Sequence, residues 1–162
     1  MNKLFVFIGV DPGWKGAAAC SIGKLTFVQD CPGDPGGIGF IVGQWTKYQK
    51  THEIHVLVER VHQSPTFGAI GNFRLGQNLG SWETALAIYN ISYETVTPLI
   101  WQKLVTHEAG AKIKEKAWRF AKRKFPLLGD KLGNKVPSKT AKAQGYADAL
   151  CIMAYAMKEF NL

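Results

Sequence analysis

A chain of 162 residues, 46% of them apolar and with a net charge of +8, is long enough to bury a sizeable core in one domain spanning residues 1–162. It has no apolar run long enough for a membrane span and no signal-peptide pattern at its start, so membrane and secretory classes are set aside. Cys20, Cys31 and Cys151 are odd in number and form no CxxC pair; this argues against disulfides or a thiolate zinc site and for a reducing compartment, the cytoplasm.

In chain order, Leu4–Val10 is an apolar run that reads as a central, buried strand, and it ends in Asp11-Pro12-Gly13. Lys15–Ile22 and Lys24–Asp30, separated by Gly23, read as its antiparallel continuation. The Pro/Gly-rich stretch after Cys31 reads as a loop. Ile38, Ile41, Val42, Trp45 and Tyr48 recur at helical spacing and predict a helix over 38–50. Glu53–Glu59 is the next strand, and it too ends in a carboxylate. Residues 64–71 read as a loop holding Pro65 and Phe67. Leu75, Leu79, Trp82, Leu86 and Tyr89 then predict one face of a helix over 74–90, with Gly76 and Gly80 beside the stripe. Residues 92–97 form a fifth strand stopped by Pro98, followed by a short helix through Trp101. Ile113, Ala117, Phe120 and Ala121 mark a helix ending before Pro126. Residues 129–139 read as an exposed basic loop, and a last helix runs from Lys142 to Glu159 with Ala147, Leu150, Cys151, Ala154 and Met157 inward. The order of elements predicts an α/β fold, a mixed five-stranded sheet flanked by helices.

Charge is concentrated in one segment. Between Lys103 and Lys142 twelve basic residues face three acids, Glu108, Glu115 and Asp130, giving +9, and the rest of the chain is near neutral. Such a run has an ordinary reading as a solvated face; its concentration favours phosphate-backbone binding. Three carboxylates stand at places where chemistry collects: Asp11 and Glu59 at the carboxyl ends of strands, and Asp148 at the start of an apolar helical stretch. Taken singly, each has a plain alternative. Asp11 makes an Asp-Pro-Gly turn, Glu59 is a strand-end carboxylate, and Asp148 is an acid favoured by the helix dipole. Taken together, in a basic chain, they point to a divalent ion held against a polyanion. Oxygen ligands suit Mg²⁺, and two such ions can activate water and stabilise a leaving oxygen in phosphodiester cleavage.

The residues 9–16, GVDPGWKG, resemble the first motif of RuvC-like Holliday-junction resolvases, 58–61 (VERV) their second, and 147–152 (ADALCI) their last. FRLGQNLG at 73–80 resembles the helix after the second motif. TPLIWQK at 97–103 and the stretch from Lys114 to Pro126 resemble phage-type members. The ordered set spans nearly the whole chain. The resemblance implies an RNase H-like fold, a homodimer, Mg²⁺ or Mn²⁺ as cofactor with two ions per site, and paired nicks in four-way or branched DNA. A viral member would act in its host's cytoplasm. It implies Asp11, Glu59 and Asp148 as catalytic metal ligands. Members carry an Asp or His a few positions before the last ligand; here Gln144 and Gly145 stand there, and Gln144 offers an uncharged amide oxygen. Lys103 and Lys114 match basic positions near DNA, with Lys116, Arg119, Lys122 and Arg123 as further DNA-binding candidates. His62 stands where members carry an aromatic that stacks on unpaired bases, with Phe67 and Phe73 nearby. Three other readings remain open: an RNase H-type nuclease, a junction-binding protein with weak or no cleavage, and a nucleotide-binding domain whose Asp-x-Gly loop cradles phosphate.

Overall fold

The structure, a computed structural model, describes residues 4–138 and 141–160; Lys139 of the basic segment lies outside them. Strands β1 (Leu4–Asp11), β2 (Ala17–Ile22), β3 (Leu25–Asp30), β4 (His52–Glu59) and β5 (Tyr93–Val96) form one sheet in the order β3-β2-β1-β4-β5. β2 and β3 pair antiparallel, as do β1 and β2, whereas β1, β4 and β5 run parallel. The sheet is therefore the mixed, five-stranded one expected, with β1 at its centre.

Helices α1 (Pro35–Trp45) and α2 (Gly68–Ile88) cover one face. The other carries α4 (Ile113–Lys124), the short α5 (Gly129–Leu132) and α6 (Lys142–Glu159), while α3 (Pro98–Trp101) follows β5. The two faces follow from the alternation of side chains along a strand. Val6, Ile8 and Val10 of β1 and Val56 and Val58 of β4 pack with α1 and α2. Phe7 and Leu57 point the other way, into the core around α6. Helix α6 is buried on nearly every side, from Ala147 through Ala154, which its almost uncharged sequence allows. Among the described residues no helix is long and apolar enough to cross a membrane.

Several boundaries differ from expectation, each for a local reason. α1 starts at Pro35 rather than Ile38, because the Asp34 carboxylate accepts the Gly37 amide hydrogen at 2.8 Å and proline suits the first turn; it ends at Trp45 in a 3₁₀ turn over Thr46–Tyr48. The loop expected over 64–71 is helical from Gly68. Asn72 pins that start: its amide accepts from Ser64 N at 2.8 Å and donates to the carbonyls of Ser64 and Gly68, each at 2.9 Å. The basic loop expected over 129–139 begins as α5, with Leu132 buried and its carbonyl accepting the Trp118 indole hydrogen at 2.8 Å.

Candidate active site

Strand parity aims Asp11 and Glu59. Both have odd numbers, like Phe7 and Leu57, so both leave their strands on the α6 face. The β1–β4 register pairs Val10 with Val58, which sets the next residues, Asp11 and Glu59, side by side. The two carboxyl groups are close enough to shift each other's titration. Gly9 brings the third carboxylate down to them. A Cβ at Gly9 would stand 2.3 Å from the Met153 nitrogen and 2.4 Å from the Ala149 carbonyl oxygen, so α6 lies backbone against backbone on β1. Asp148, 1% exposed, is the residue before Ala149 and faces the strand ends. A second close approach seats the start of α6: a Cβ at Gly145 would come within 2.0 Å of the Lys15 carbonyl oxygen.

The loop between β1 and β2 is held from the other side. Gly13 has φ 144°, its amide donates to Asn78 Oδ1 at 3.0 Å, and its carbonyl accepts from Gly16 N at 3.1 Å. The Asn78 amide nitrogen reaches the Pro32 carbonyl at 3.0 Å. Asn78, inside the apolar face of α2, thus ties the Asp11 loop to the segment after β3. Sequence periodicity passes over it because a polar residue on a core face carries no hydrophobic signal.

Lys114 on α4 reaches across to Asp148 and forms an ion pair with its Oδ2. The Trp101 indole, fully buried, donates to Glu59 Oε1 at 2.7 Å. Desolvation, then the charges of Glu59 and Asp148, hold the Asp11 carboxyl well above the usual carboxylate range. Desolvation also raises Glu59 against the Trp101 bond, and raises Asp148 against the attraction of Lys114. For Lys114, desolvation works to lower the pKa but is outweighed by Asp148, Asp11 and Glu59, so it is raised and the side chain is an ammonium. Three crowded carboxyl groups thus share one positive partner.

The donor chemistry fits a hard divalent cation. The donors gathered around Asp148 are oxygens: three carboxyl groups and the amide of Gln144, one helical turn before Asp148. The Gln144 nitrogen donates to Asp148 Oδ1 at 3.0 Å, while its Oε1 is buried with no hydrogen-bond partner. A buried acceptor left unpaired costs roughly 1–3 kcal/mol, and a cation beside it removes that cost. Such a set suits Mg²⁺ or Mn²⁺ rather than zinc. Among the described residues no three His, Cys, Asp or Glu side chains stand as a ready-made metal cluster, Asp148 being turned to Lys114. Of the two positions left open by sequence, Gln144 is the one beside Asp148, since Gly145 is pressed on Lys15.

The carboxylates lie in a cleft of about 860 Å³. Lys114, His62 and Phe67 line it, together with Trp14, Lys15, Arg60 and Arg74, which composition had not singled out. The other cations named from sequence do not line it. Lys103 is exposed on the 3₁₀ turn after α3. Lys116 donates to the Thr106 carbonyl at 2.7 Å, Arg119 pairs with Glu115 at 2.7 Å, Lys122 donates to the Gly133 carbonyl at 2.6 Å, and Arg123 pairs with Glu108. These four brace the α4 region as well as carrying its charge. Phe73, near the start of α2, is exposed.

No family model and no curated protein matches the chain by sequence. Solved structures do match. RuvC of T. thermophilus in complex with Holliday junction substrate aligns with TM-score 0.61 at 16% identity, over 96% of each chain. A further Thermus thermophilus RuvC structure gives 0.60 at 17%, again over 96% of each. The yeast mitochondrial Holliday junction resolvase Ydc2 gives 0.52 at 13%, over 93% of this chain and 77% of that one. The fold is RNase H-like, of the RuvC kind.

Proposed function

We propose that the chain is a metal-dependent, structure-selective DNA endonuclease that resolves four-way or otherwise branched DNA junctions by paired nicks. The observation that carries this reading is the meeting of Asp11, Glu59 and Asp148 with the Lys114 ammonium and the unpaired Gln144 oxygen, in a cation-lined cleft on this fold. Solved structures of the same fold are Holliday junction resolvases, one of them bound to junction DNA.

Asp11, Glu59 and Asp148, with Gln144 Oε1, would hold one or two Mg²⁺ or Mn²⁺ ions. When bound, these supply an activated water and charge stabilisation at the leaving oxygen. The chain's own groups do the rest. Trp101 fixes the Glu59 carboxyl through its 2.7 Å hydrogen bond, so that group does not have to be ordered at the moment of reaction. The Lys114 ammonium is placed to take a non-bridging phosphate oxygen and offset charge that develops there. Lys15, Arg60 and Arg74 offer further phosphate partners along the cleft. His62 and Phe67 at its edge are the candidates for stacking on bases at a crossover.

Paired nicks need two sites related by a two-fold axis, which a C₂ dimer supplies. Helix α2 fits that role. Ile70 and Phe73 on its first half are 72% and 71% exposed, and Gly76 and Gly80 have no atoms within 4 Å of an added Cβ. We place the protein in a reducing cytoplasm, which suits Cys20, Cys31 and Cys151 as buried free thiols. The resemblance of the stretches 97–103 and 114–126 to phage-type members supports reading it as one of them.

The deciding experiment is cleavage of a synthetic four-way junction with Mg²⁺ or with chelator, beside an RNA–DNA hybrid of equal length. Wild type should nick opposed strands only with the metal. Asp11→Asn should bind the junction and leave it whole. Preference for the hybrid would move the protein to the RNase H-type reading. The neutral Gln144 favours one other reading, a junction-binding protein without cleavage; binding with no cutting at any Mg²⁺ or Mn²⁺ concentration would establish it.

A further inference from the structure

Trp14 is an anomaly among the tryptophans. Trp45, Trp82, Trp101 and Trp118 are all buried, whereas Trp14 is 69% exposed. It stands three residues after Asp11, in the wall of the same cleft. Its indole is nevertheless held in place. The turn beneath it is fixed by the Gly13–Asn78 and Gly16–Gly13 hydrogen bonds. The six-membered ring rests on Gly33, where a Cβ would come within 3.0 Å of Cζ3 and 3.3 Å of Cη2. The Arg74 guanidinium lies 5.9 Å from the ring centroid. An aromatic plane supported on a glycine, flanked by a cation and open to a cleft, has the form of a stacking surface.

We propose that Trp14 and Arg74 form a base-binding platform that takes one unpaired base of the strand entering the cleft, next to the phosphate that meets Asp11. This rests on the nuclease reading and adds a second stacking position to it, in the same cleft as Phe67. The occupant is a nucleobase rather than another apolar group because of what surrounds the ring. Lys15, Arg60 and Lys114 line the same cleft and offer partners for the flanking phosphates, and the chain's charge of +8 attracts a polyanion. Stacking on an indole is tolerant of base identity, so the platform holds a strand in register without reading its sequence.

The test uses the full chain, a synthetic four-way junction and a short single strand, in chelator so that binding is read without cutting. Trp14 being the exposed tryptophan, it dominates acrylamide quenching of the protein's emission. Binding of either DNA should shield it. Trp14→Ala should weaken junction binding by roughly tenfold or more, with an unchanged log–log salt slope because no phosphate contact is lost, and Trp14→Phe should recover most of the affinity. Unchanged affinity in Trp14→Ala, with wild type binding here and cutting the junction in a parallel assay with Mg²⁺, overturns the platform and leaves the nuclease reading standing. Shielding of Trp14 in DNA-free protein that grows with protein concentration also overturns it and assigns the ring to contact between copies. Wild type that binds neither DNA overturns both readings.

Discussion

Replacing Gly9 by alanine should separate α6 from the strand that it covers. The new methyl would stand 2.3 Å from Met153 N and 2.4 Å from Ala149 O, both backbone atoms that no rotamer change can move. Restoring ordinary van der Waals separation requires the helix and strand to part by about 1 Å. Two costs follow. Overpacking of this kind destabilises by about 1–3 kcal/mol, which for a domain of this size lowers Tm by several degrees. The displaced helix also carries Asp148, the residue before Ala149, away from Asp11, and an error of about 1 Å at a reacting centre costs on the order of 100-fold in rate. Gly39→Ala is the control: this glycine is inside α1 with no atoms within 4 Å of an added Cβ, so alanine should be neutral or stabilise by up to about 1 kcal/mol. Thermal melts and single-turnover junction cleavage would be measured for both variants. A Gly9→Ala protein with wild-type Tm and wild-type cleavage would refute the backbone-on-backbone contact, and with it this account of how Asp148 is positioned.

Gln144→Asp adds a fourth carboxyl group to a cluster where all three existing ones are already raised by desolvation; it should lower Tm without metal and lower the Mg²⁺ concentration needed for half-maximal cleavage, and an unchanged metal requirement would show that three carboxylates suffice. Gly145→Asp is no companion to it, since its side chain would meet the Lys15 carbonyl. Trp101→Phe keeps a buried ring but removes the donor to Glu59, a charge-assisted bond of about 1.5–3 kcal/mol, so the ionised carboxylate becomes costlier and Mn²⁺ binding by calorimetry should weaken about tenfold or more; equal affinity would make the indole a packing residue only. Because the three site carboxyls have raised folded-state pKa values, the folded protein holds more protons than the unfolded chain between the ordinary carboxylate range and those raised values. Metal-free stability should therefore fall as pH rises through that window, and the Tm gain from Mg²⁺ should grow over the same window; a Mg²⁺ effect independent of pH would argue against binding at these groups.

Much of the candidate site's geometry was legible because strands announce their ends. Val10-Asp11 and Val58-Glu59 each break an apolar run with a carboxylate, and the parity of the run tells which face the carboxylate takes. Helix α6 was legible from Lys142 to Glu159 because an unbroken apolar run, Ala149 to Met157, forms half of its length. What escaped was whatever depends on a partner distant in sequence. Nothing near Trp101 marks it as a donor to Glu59, and nothing near Asn78 marks it as the anchor of the Asp11 loop. The start of α2 was hidden by Gly68 and Gly71, whose local preference for loops is overridden by the Asn72 bonds. Charge counting found the basic segment but could not show that Lys116, Arg119, Lys122 and Arg123 are engaged with their own neighbours.

The seating of α6 on Gly9 also bears on when the three-carboxylate cluster is assembled. Strand β1 and helix α6 lie near opposite ends of the sequence, so their contact closes a loop of almost the whole chain, an entropically costly event that is expected to follow the more local pairings. Asp148 arrives with α6. A chain that has paired its strands but not yet docked this helix holds Asp11 and Glu59 without their third partner and without the Lys114 ion pair. On the proposed nuclease reading, folding would then act as a safety catch: the three carboxyl groups and Lys114 come together only once α6 has docked, and a copy without that contact would be harmless to DNA.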